Sequence, residues 1–99
     1  MERGGTVYIL TNDRHTVFYV GVTSEIIYRF IEHRDKIYPK SFTAKYNVSK
    51  LVYYENLRSI QEAIDREKYL KGKGRKFKLH LIESMNPEWR DLGEDVLKW

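Results

Sequence analysis

Two short β-rich segments near the beginning of the chain constrain its fold more than any other feature. Residues 6–11 and 17–22 are rich in valine, isoleucine and aromatic residues, which favour strands. The residues between them, 12–15, are Asn-Asp-Arg-His. A four-residue polar loop between two such segments is typical of a β-hairpin, so the segments are predicted to pair antiparallel.

This hairpin places two tyrosines on one face. If Thr11 lies opposite Thr16, then Tyr8 lies opposite Tyr19, and Gly21 continues the same face two residues further along. Aromatic pairs across strands often serve packing alone. A glycine in a strand can also mark a point where a ligand approaches the backbone, so Gly21 is predicted to leave this face open.

The rest of the chain predicts three helices and a third strand. Thr23 and Ser24 are N-cap residues ahead of apolar residues at helical spacing, which predicts a helix over residues 24–37 that Pro39 ends. The later elements are a strand, a helix that begins with a Ser-x-x-Glu capping box, a further helix and a short last turn, over residues 50–57, 59–71, 76–84 and 86–89. The order β-β-α-β-α-α predicts an α+β domain with a three-stranded antiparallel sheet flanked by helices.

Length and composition limit the chain to one small site. A chain of 99 residues buries one modest core, so residues 1–99 are predicted to form one domain, with an acidic C-terminal tail from about residue 91. The absence of cysteine excludes disulfides, thiolate nucleophiles and cysteine-ligated metals. No apolar run is long enough for a membrane span or a signal peptide, which predicts a cytoplasmic protein that does not bind membranes.

Positive charge is concentrated in a block between residues 66 and 78, where seven Lys or Arg residues accompany a single acid. The sign reverses from Glu83 onward. Such a block favours a polyanionic partner, although charge runs are also common on solvated helix faces. The residues of this basic block that are predicted to contact nucleic acid are Lys71, Lys73, Arg75, Lys76 and Lys78.

Glu67 breaks the apolar pattern of the helix over residues 59–71. The apolar stripe of this helix consists of Ile60, Ala63, Ile64 and Leu70, and Glu67 lies in its middle. A carboxylate in this position faces the core or a cleft and requires a cation, a metal or hydrogen bonds beside it. A structural ion pair with a buried arginine and a metal site are therefore both open.

Arg29 and His33 lie one turn apart on the first predicted helix, at the edge of its apolar stripe. Such pairs are also common on helix surfaces without any function. Together with Tyr8, Tyr19 and Glu67, they would supply proton transfer, neutralisation of phosphate charge and a metal ligand. This combination matches phosphodiester hydrolysis.

Successive segments of the chain resemble the motifs of the GIY-YIG nuclease superfamily. These segments are Val7–Leu10, Tyr19–Thr23, Arg29, His33 and Glu67 within Ala63–Lys68. The resemblance covers almost the whole chain and is closest to small stand-alone bacterial members, which end in a segment similar to residues 81–89. One departure is that Thr6 stands where the first motif usually has glycine.

The resemblance implies a metal-dependent endonuclease that cleaves DNA by attack of water on phosphorus. Tyr19 would act as the general base or orient the water, and Tyr8 would form hydrogen bonds nearby. Arg29 would neutralise charge on the scissile phosphate, and His33 would assist proton transfer.

The resemblance also implies a single divalent metal ion. Glu67 would hold Mg²⁺ or Mn²⁺ through one carboxylate, with water and substrate phosphate as the other ligands. Asn86 would correspond to a polar residue near the site in some members of the family.

Two other functions are compatible with the sequence. A nucleic-acid-binding module of the same fold that no longer cleaves would be expected to lose Arg29 or Glu67 first, and both are present. A protein-interaction subunit would use exposed aromatic residues, namely Tyr53, Tyr54, Trp89 and Trp99. A homodimer formed through the third strand is compatible with either nucleic-acid function.

Overall fold

The structure, a computed structural model, describes residues 4–99, which form three strands and five helices. The strands are β1 (Gly5–Thr11), β2 (Phe18–Thr23) and β3 (Lys50–Leu57). The helices are α1 (Ile26–Arg34), α2 (Phe42–Lys45), α3 (Ile60–Lys71), α4 (Arg75–Met85) and α5 (Gly93–Val96). The sheet has the order β2-β1-β3 with both pairs antiparallel, so the predicted α+β class is confirmed. None of the helices in residues 4–99 has the length and apolar character that a membrane span requires.

Helix α1 is shorter than the predicted helix over residues 24–37, and α2 was not predicted. The Thr23 hydroxyl accepts a hydrogen bond from the Glu25 backbone N–H (3.0 Å), so it stabilises the turn before α1 and the helix begins two residues later. Helix α2 follows Ser41, whose hydroxyl accepts a hydrogen bond from the Ala44 N–H. Four residues are too few to show helical periodicity, which is why the sequence pattern gave no sign of α2.

The predicted register of the hairpin was wrong by two residues. Thr11 lies opposite Phe18, and Tyr8 lies opposite Gly21. The cause is Asn12, whose side-chain oxygen accepts hydrogen bonds from the backbone N–H groups of the two residues before Phe18, at 2.8 and 3.2 Å, and so lengthens the loop. A shift of two residues keeps every side chain on its face, so Tyr8 and Tyr19 share a face as predicted, with ring centroids 6.4 Å apart.

Gly21 does not leave this face open. A Cβ atom at Gly21 would overlap the Cζ atom and the hydroxyl oxygen of Tyr8. The ring of Tyr8 therefore occupies the space that a side chain would need, and the prediction that Gly21 admits a ligand was wrong. Its role is to leave room for the ring of Tyr8.

The sheet separates two hydrophobic cores. The core on one face is formed with α3 and α4 and contains Val7, Ile9, Val20, Val52, Ala63, Leu70 and Ile82. The core on the other face is formed with α1 and α5 and contains Tyr8, Leu10, Ile26, Phe30, Leu92 and Val96. Helices α1 and α3 therefore pack on opposite faces of the sheet.

The segment predicted as an acidic tail is folded against the sheet. Leu92 and Val96 are buried, and the Asp91 carboxylate accepts hydrogen bonds from the backbone N–H groups of Leu51 (3.2 Å) and Gly93 (2.9 Å). The Leu92 N–H donates to the Leu51 carbonyl (2.7 Å). The outer edge of β3 is thus occupied at Leu51, which narrows the surface available for the homodimer considered above.

The aromatic residues considered for a protein-interaction surface are not all exposed. Tyr53 is buried in the core next to α3, and Tyr54 and Trp89 are half-buried. Trp89 stacks on His15 with centroids 4.5 Å apart. Trp99 is exposed and contacts Tyr54 edge-on. The prediction of four exposed aromatic residues was therefore wrong.

Candidate active site

A cavity of about 170 Å³ lies on the α1 face of the sheet, between β2, α1 and α2. The residues that line it are Tyr19, Arg29, Glu32, His33, Tyr38, Ser41, Phe42 and Thr43. Three residues predicted for the site, namely Tyr19, Arg29 and His33, thus meet in this cavity, and Tyr8 lies directly behind it.

Local structure explains why these side chains converge. Ile26 and Phe30 bury one side of α1 in the core, which turns Arg29 and His33, spaced by four residues, towards the cavity. Tyr19 points to the same face of the sheet as Tyr8 because both lie on one side of the pleat.

Helix α2 forms the opposite wall of the cavity. The ring of Phe42 stacks on that of Tyr19, with centroids 6.3 Å apart and an angle of 26° between the planes. Thr43, the next residue, reaches the imidazole of His33. This short helix therefore holds both the ring of Tyr19 and the ring of His33 in place.

A buried hydrogen-bond chain runs from Tyr8 through His33 to Thr43. The Tyr8 hydroxyl lies 3.1 Å from His33 Nε2, and the Thr43 hydroxyl lies 2.8 Å from His33 Nδ1. A neutral imidazole has one N–H donor and one acceptor nitrogen, and a hydroxyl can serve either, so both ring nitrogens are satisfied. His33 is 6% exposed and Tyr8 only 1%.

Burial fixes the protonation states of this chain. Burial, assisted by the positive charge of Arg29, lowers the pKa of His33 to about 4, so the imidazole is neutral at pH 7. Burial also raises the pKa of Tyr8 to about 12, so its hydroxyl keeps the proton. Tyr8 is therefore suited to positioning His33, whereas Tyr19 reaches the cavity itself.

Arg29 is the cation of the cavity. Partial burial disfavours its charge, but interactions with the hydroxyls of Tyr8 and Tyr19 outweigh this effect and raise the pKa of Arg29. Its Nη1 lies 3.6 Å from Oε1 of Glu32. The Glu32 carboxylate also lies close to the hydroxyl of Tyr38, and it raises the pKa of that tyrosine. The cavity thus presents a permanent positive charge next to one carboxylate.

Glu67 does not line the cavity. It lies on α3 between Ala63 and Leu70, on the other face of the sheet. Its side chain is 16% exposed, and its Oε1 lies 3.4 Å from the Nζ of Lys71, a side chain that is 55% exposed. The partner of the carboxylate in the apolar stripe is thus an exposed lysine and not a buried arginine.

The donor chemistry of Glu67 fits a magnesium-type ion that keeps most of its water. No group of three or more His, Asp or Glu residues that could hold a metal is found within residues 4–99. A hard divalent cation bound through one carboxylate, waters and substrate phosphate does not need such a group. The metal assignment of Glu67 stays a prediction.

Within residues 4–99, the side chain of Asn86 forms hydrogen bonds to backbone groups alone. Its side-chain nitrogen donates to the carbonyls of Val52 (3.3 Å) and Arg90 (2.7 Å), and its oxygen accepts from the Arg90 N–H (3.0 Å). These bonds fix the turn after α4 to the edge of β3. Asn86 is absent from the cavity lining, and its predicted place near the catalytic group stays a prediction.

The basic block lies on α3, α4 and the turn between them, and none of its residues lines the cavity. Lys71 pairs with Glu67, and the ammonium group of Lys73 lies 4.7 Å from the centroid of the Tyr69 ring. The Arg75 guanidinium donates to the backbone carbonyls of His15 (2.6 Å) and Thr16 (3.2 Å). The side chains of the two remaining cations, Lys76 and Lys78, make no ion pair or hydrogen bond within the described part of the chain.

Sequence reasoning missed Glu32, Phe42 and Thr43. Glu32 is three residues from Arg29, a spacing at which a carboxylate and a guanidinium meet on a helix, so this signal was present in the sequence. The contact of Thr43 with His33 has no sequence signal, because it depends on how the segment after α1 folds back.

Comparison with known proteins identifies the family of this arrangement. The sequence model of the GIY-YIG catalytic domain matches residues 4–80, a range that includes Tyr8, Tyr19, Arg29, His33 and Glu67. No curated protein matches the sequence significantly.

One solved structure supports the fold independently. It is the solution NMR structure of a UPF0213 protein from Bacillus halodurans, which superposes with a TM-score of 0.56 at 23% identity and covers 89% of this chain and 92% of that chain. At this level of identity the similarity shows the fold alone.

Proposed function

This chain belongs to the GIY-YIG family of catalytic domains, and from that membership we propose that it is a divalent-metal-dependent endonuclease that hydrolyses phosphodiester bonds in DNA. The observation that carries this proposal is the convergence of the Arg29 guanidinium and the Tyr19 side chain in one cavity. A phosphate group placed between them would meet a fixed positive charge on one side and a proton-transfer group on the other.

The residues of the cavity divide the work of hydrolysis. Arg29 stabilises the charge that develops on the phosphate oxygens, and its charge is permanent at any physiological pH. Tyr19 orients the attacking water or accepts its proton. Tyr8 and His33 hold the groups around Tyr19 in position, since both nitrogens of His33 are already hydrogen-bonded.

Glu67 is the residue that would hold Mg²⁺ or Mn²⁺. Such an ion, when bound, supplies stabilisation of the leaving oxygen. The pairing with Lys71 holds the carboxylate in place, and this exposed lysine is free to move to solvent or to a phosphate when the ion binds.

Substitution of Arg29 tests the proposal directly. Arg29→Ala is expected to lower the single-turnover cleavage rate on the order of 100- to 1000-fold, because one preorganised charge at the transition state is lost. Arg29→Lys keeps the charge but loses the planar fork, so it should recover only part of the rate. The substrates are labelled duplex, flap, branched and single-stranded DNA, with and without Mn²⁺.

The control for this experiment is Arg34→Ala, at the end of α1, where the side chain is exposed and pairs with Asp35. Its cleavage rate should equal that of the wild type. Equal rates for Arg29→Ala and the wild type would refute the assignment of Arg29.

A second candidate is a nucleic-acid-binding module that does not cleave. The observation in its favour is that Glu67 lies outside the cavity and already has a cationic partner. The same substrate panel distinguishes the two, because this module would bind DNA without producing cleaved strands in either Mg²⁺ or Mn²⁺.

The basic block is proposed to track the phosphate backbone of the substrate. If it does, the logarithm of DNA affinity should fall with the logarithm of salt concentration by about 0.9 per neutralised phosphate. Replacing Lys76 and Lys78 by alanine should then flatten this slope by up to about two units. Fluorescence anisotropy over a salt series measures the slope, with Lys98→Ala as the control. A slope that the double variant leaves unchanged would identify the block as a solvated surface.

A further inference from the structure

We propose that Glu32 determines specificity in the cavity, favouring internal phosphodiesters and disfavouring terminal phosphomonoesters. This inference rests on the proposed function, because it concerns the group that Arg29 would bind. Glu32 lies outside the segments that resemble the family motifs, and the inference comes from its position beside Arg29.

Contacts on both sides hold the Glu32 carboxylate in the cavity wall. Arg29 Nη1 lies 3.6 Å from one of its oxygens, and the Tyr38 hydroxyl lies close to the carboxylate as well. The side chains of Arg29 and Glu32 are 34% and 29% exposed, so both are partly shielded from solvent. A phosphate that contacts Arg29 must therefore lie close to Glu32 as well.

The charges of the lining residues set what the cavity can accept. Arg29 is the one cation among the eight lining residues that the structure describes, and Glu32 is the one carboxylate. The low pKa of His33, a result of burial, removes the other candidate for positive charge at pH 7. Arg29 thus faces one fixed negative charge before any ligand arrives.

Diesters and monoesters of phosphate differ in charge. A phosphodiester carries one negative charge, whereas a phosphomonoester carries about 1.5 to 2 at pH 7. A single arginine balances the first, but the second leaves extra negative charge next to Glu32. Two unit charges about 4 Å apart repel enough, even at the dielectric constant of water, to change affinity roughly fivefold.

The reaction itself converts one class into the other. Attack of water on phosphorus forms a P–O bond and breaks the bond to the leaving oxygen, which takes up a proton, while the water loses its protons to the base and to solvent. The products are a strand with a terminal phosphomonoester and a strand with a hydroxyl. Glu32 would therefore weaken the binding of the phosphorylated product at the site where it forms.

Two small anions test the proposal without any cleavage. NMR titrations at pH 8 without added metal ions compare inorganic phosphate, which is mainly a dianion, with dimethyl phosphate, a diester monoanion. Removing the Glu32 charge should improve the affinity for both anions, and by a larger factor for the dianion. Glu32→Gln is therefore expected to shift the ratio of the two dissociation constants at least about fivefold towards inorganic phosphate.

Three comparisons make the result decisive. Glu32→Asp keeps the charge and should retain the wild-type ratio, and Glu83→Gln, an exposed residue on α4, should retain it too. The amide spectrum of each variant reports whether the fold is kept. Equal gains for both anions, no gain, or the same shift in Glu83→Gln would overturn the proposal.

The titrations and the cleavage assays test the two proposals independently. Absence of cleavage on every substrate would overturn the proposed nuclease activity, while the anion ratio would still report on Glu32. Conversely, an unchanged ratio in a protein that cleaves DNA would overturn the role of Glu32 alone. In the cleaving protein, Glu32→Gln should also increase inhibition by inorganic phosphate.

Discussion

Replacing Glu67 by glutamine is expected to abolish metal-dependent cleavage and to leave the fold intact. Glutamine keeps the shape of the side chain but removes the charge that a divalent cation needs. The lost ion pair costs little stability, about 0–1 kcal/mol, because its partner Lys71 is largely exposed to solvent. Cleavage in Mg²⁺ and in Mn²⁺ and a thermal unfolding curve measure the two parts of this expectation.

Two control variants separate a metal ligand from a structural ion pair. Glu62→Gln removes an exposed carboxylate from the same helix and should cleave at the wild-type rate. Lys71→Ala removes the partner of Glu67 and should retain most activity if the carboxylate binds metal. If Glu67→Gln cleaves at the wild-type rate in Mn²⁺, Glu67 is not the metal ligand.

Replacing Tyr19 by phenylalanine is expected to reduce turnover roughly 100- to 10,000-fold, which is typical of the loss of a proton-transfer group. DNA affinity should stay near the wild-type value, because the ring that stacks on Phe42 is kept. Affinity is measured in Ca²⁺, which should not support turnover, and the single-turnover rate is measured in Mg²⁺.

Two other tyrosines provide the comparison for Tyr19. Tyr28→Phe changes an exposed hydroxyl on the far side of α1 and should have no effect. Tyr8→Phe removes the hydrogen bond to His33 and should reduce the rate less than Tyr19→Phe, since Tyr8 does not reach the cavity. If Tyr19→Phe cleaves at the wild-type rate, the assignment of Tyr19 is wrong.

The elements that the sequence predicted well are those whose signals are local. Strand β3 covers the predicted residues 50–57, and α3 begins after Ser59, whose hydroxyl accepts from the Glu62 N–H (3.1 Å) as the capping box requires. Alternation of apolar residues and a cap both act within a few residues of the chain, so they can be read without knowing the fold.

The features that the sequence predicted poorly depend on the interactions of particular side chains. The hairpin register follows from the hydrogen bonds of Asn12 to two backbone N–H groups. The number of loop residues alone does not predict these bonds. The closing of the space beside Gly21 follows from that same register, because only the observed pairing places Tyr8 opposite the glycine.

The candidate site was partly predictable for the same reason. The spacing of Arg29 and His33 places them on one face of any helix, and the alternation of strands does the same for Tyr8 and Tyr19. Whether Glu67 lies beside Arg29 and His33 depends on which face of the sheet α3 occupies. Residue spacing along one helix does not determine that face.

The packing of α5 behind α1 bears on when the site is completed as the protein is made. A Cβ atom at Gly93 would overlap the ring of Phe30, so α5 lies directly against the helix that carries Arg29 and His33. A ribosome releases residues 26–34 well before residues 92–96, and until then Phe30, Leu92 and Val96 cannot pack together. The packing that fixes the helix carrying Arg29 and His33 is therefore completed only after residues 92–96 have emerged.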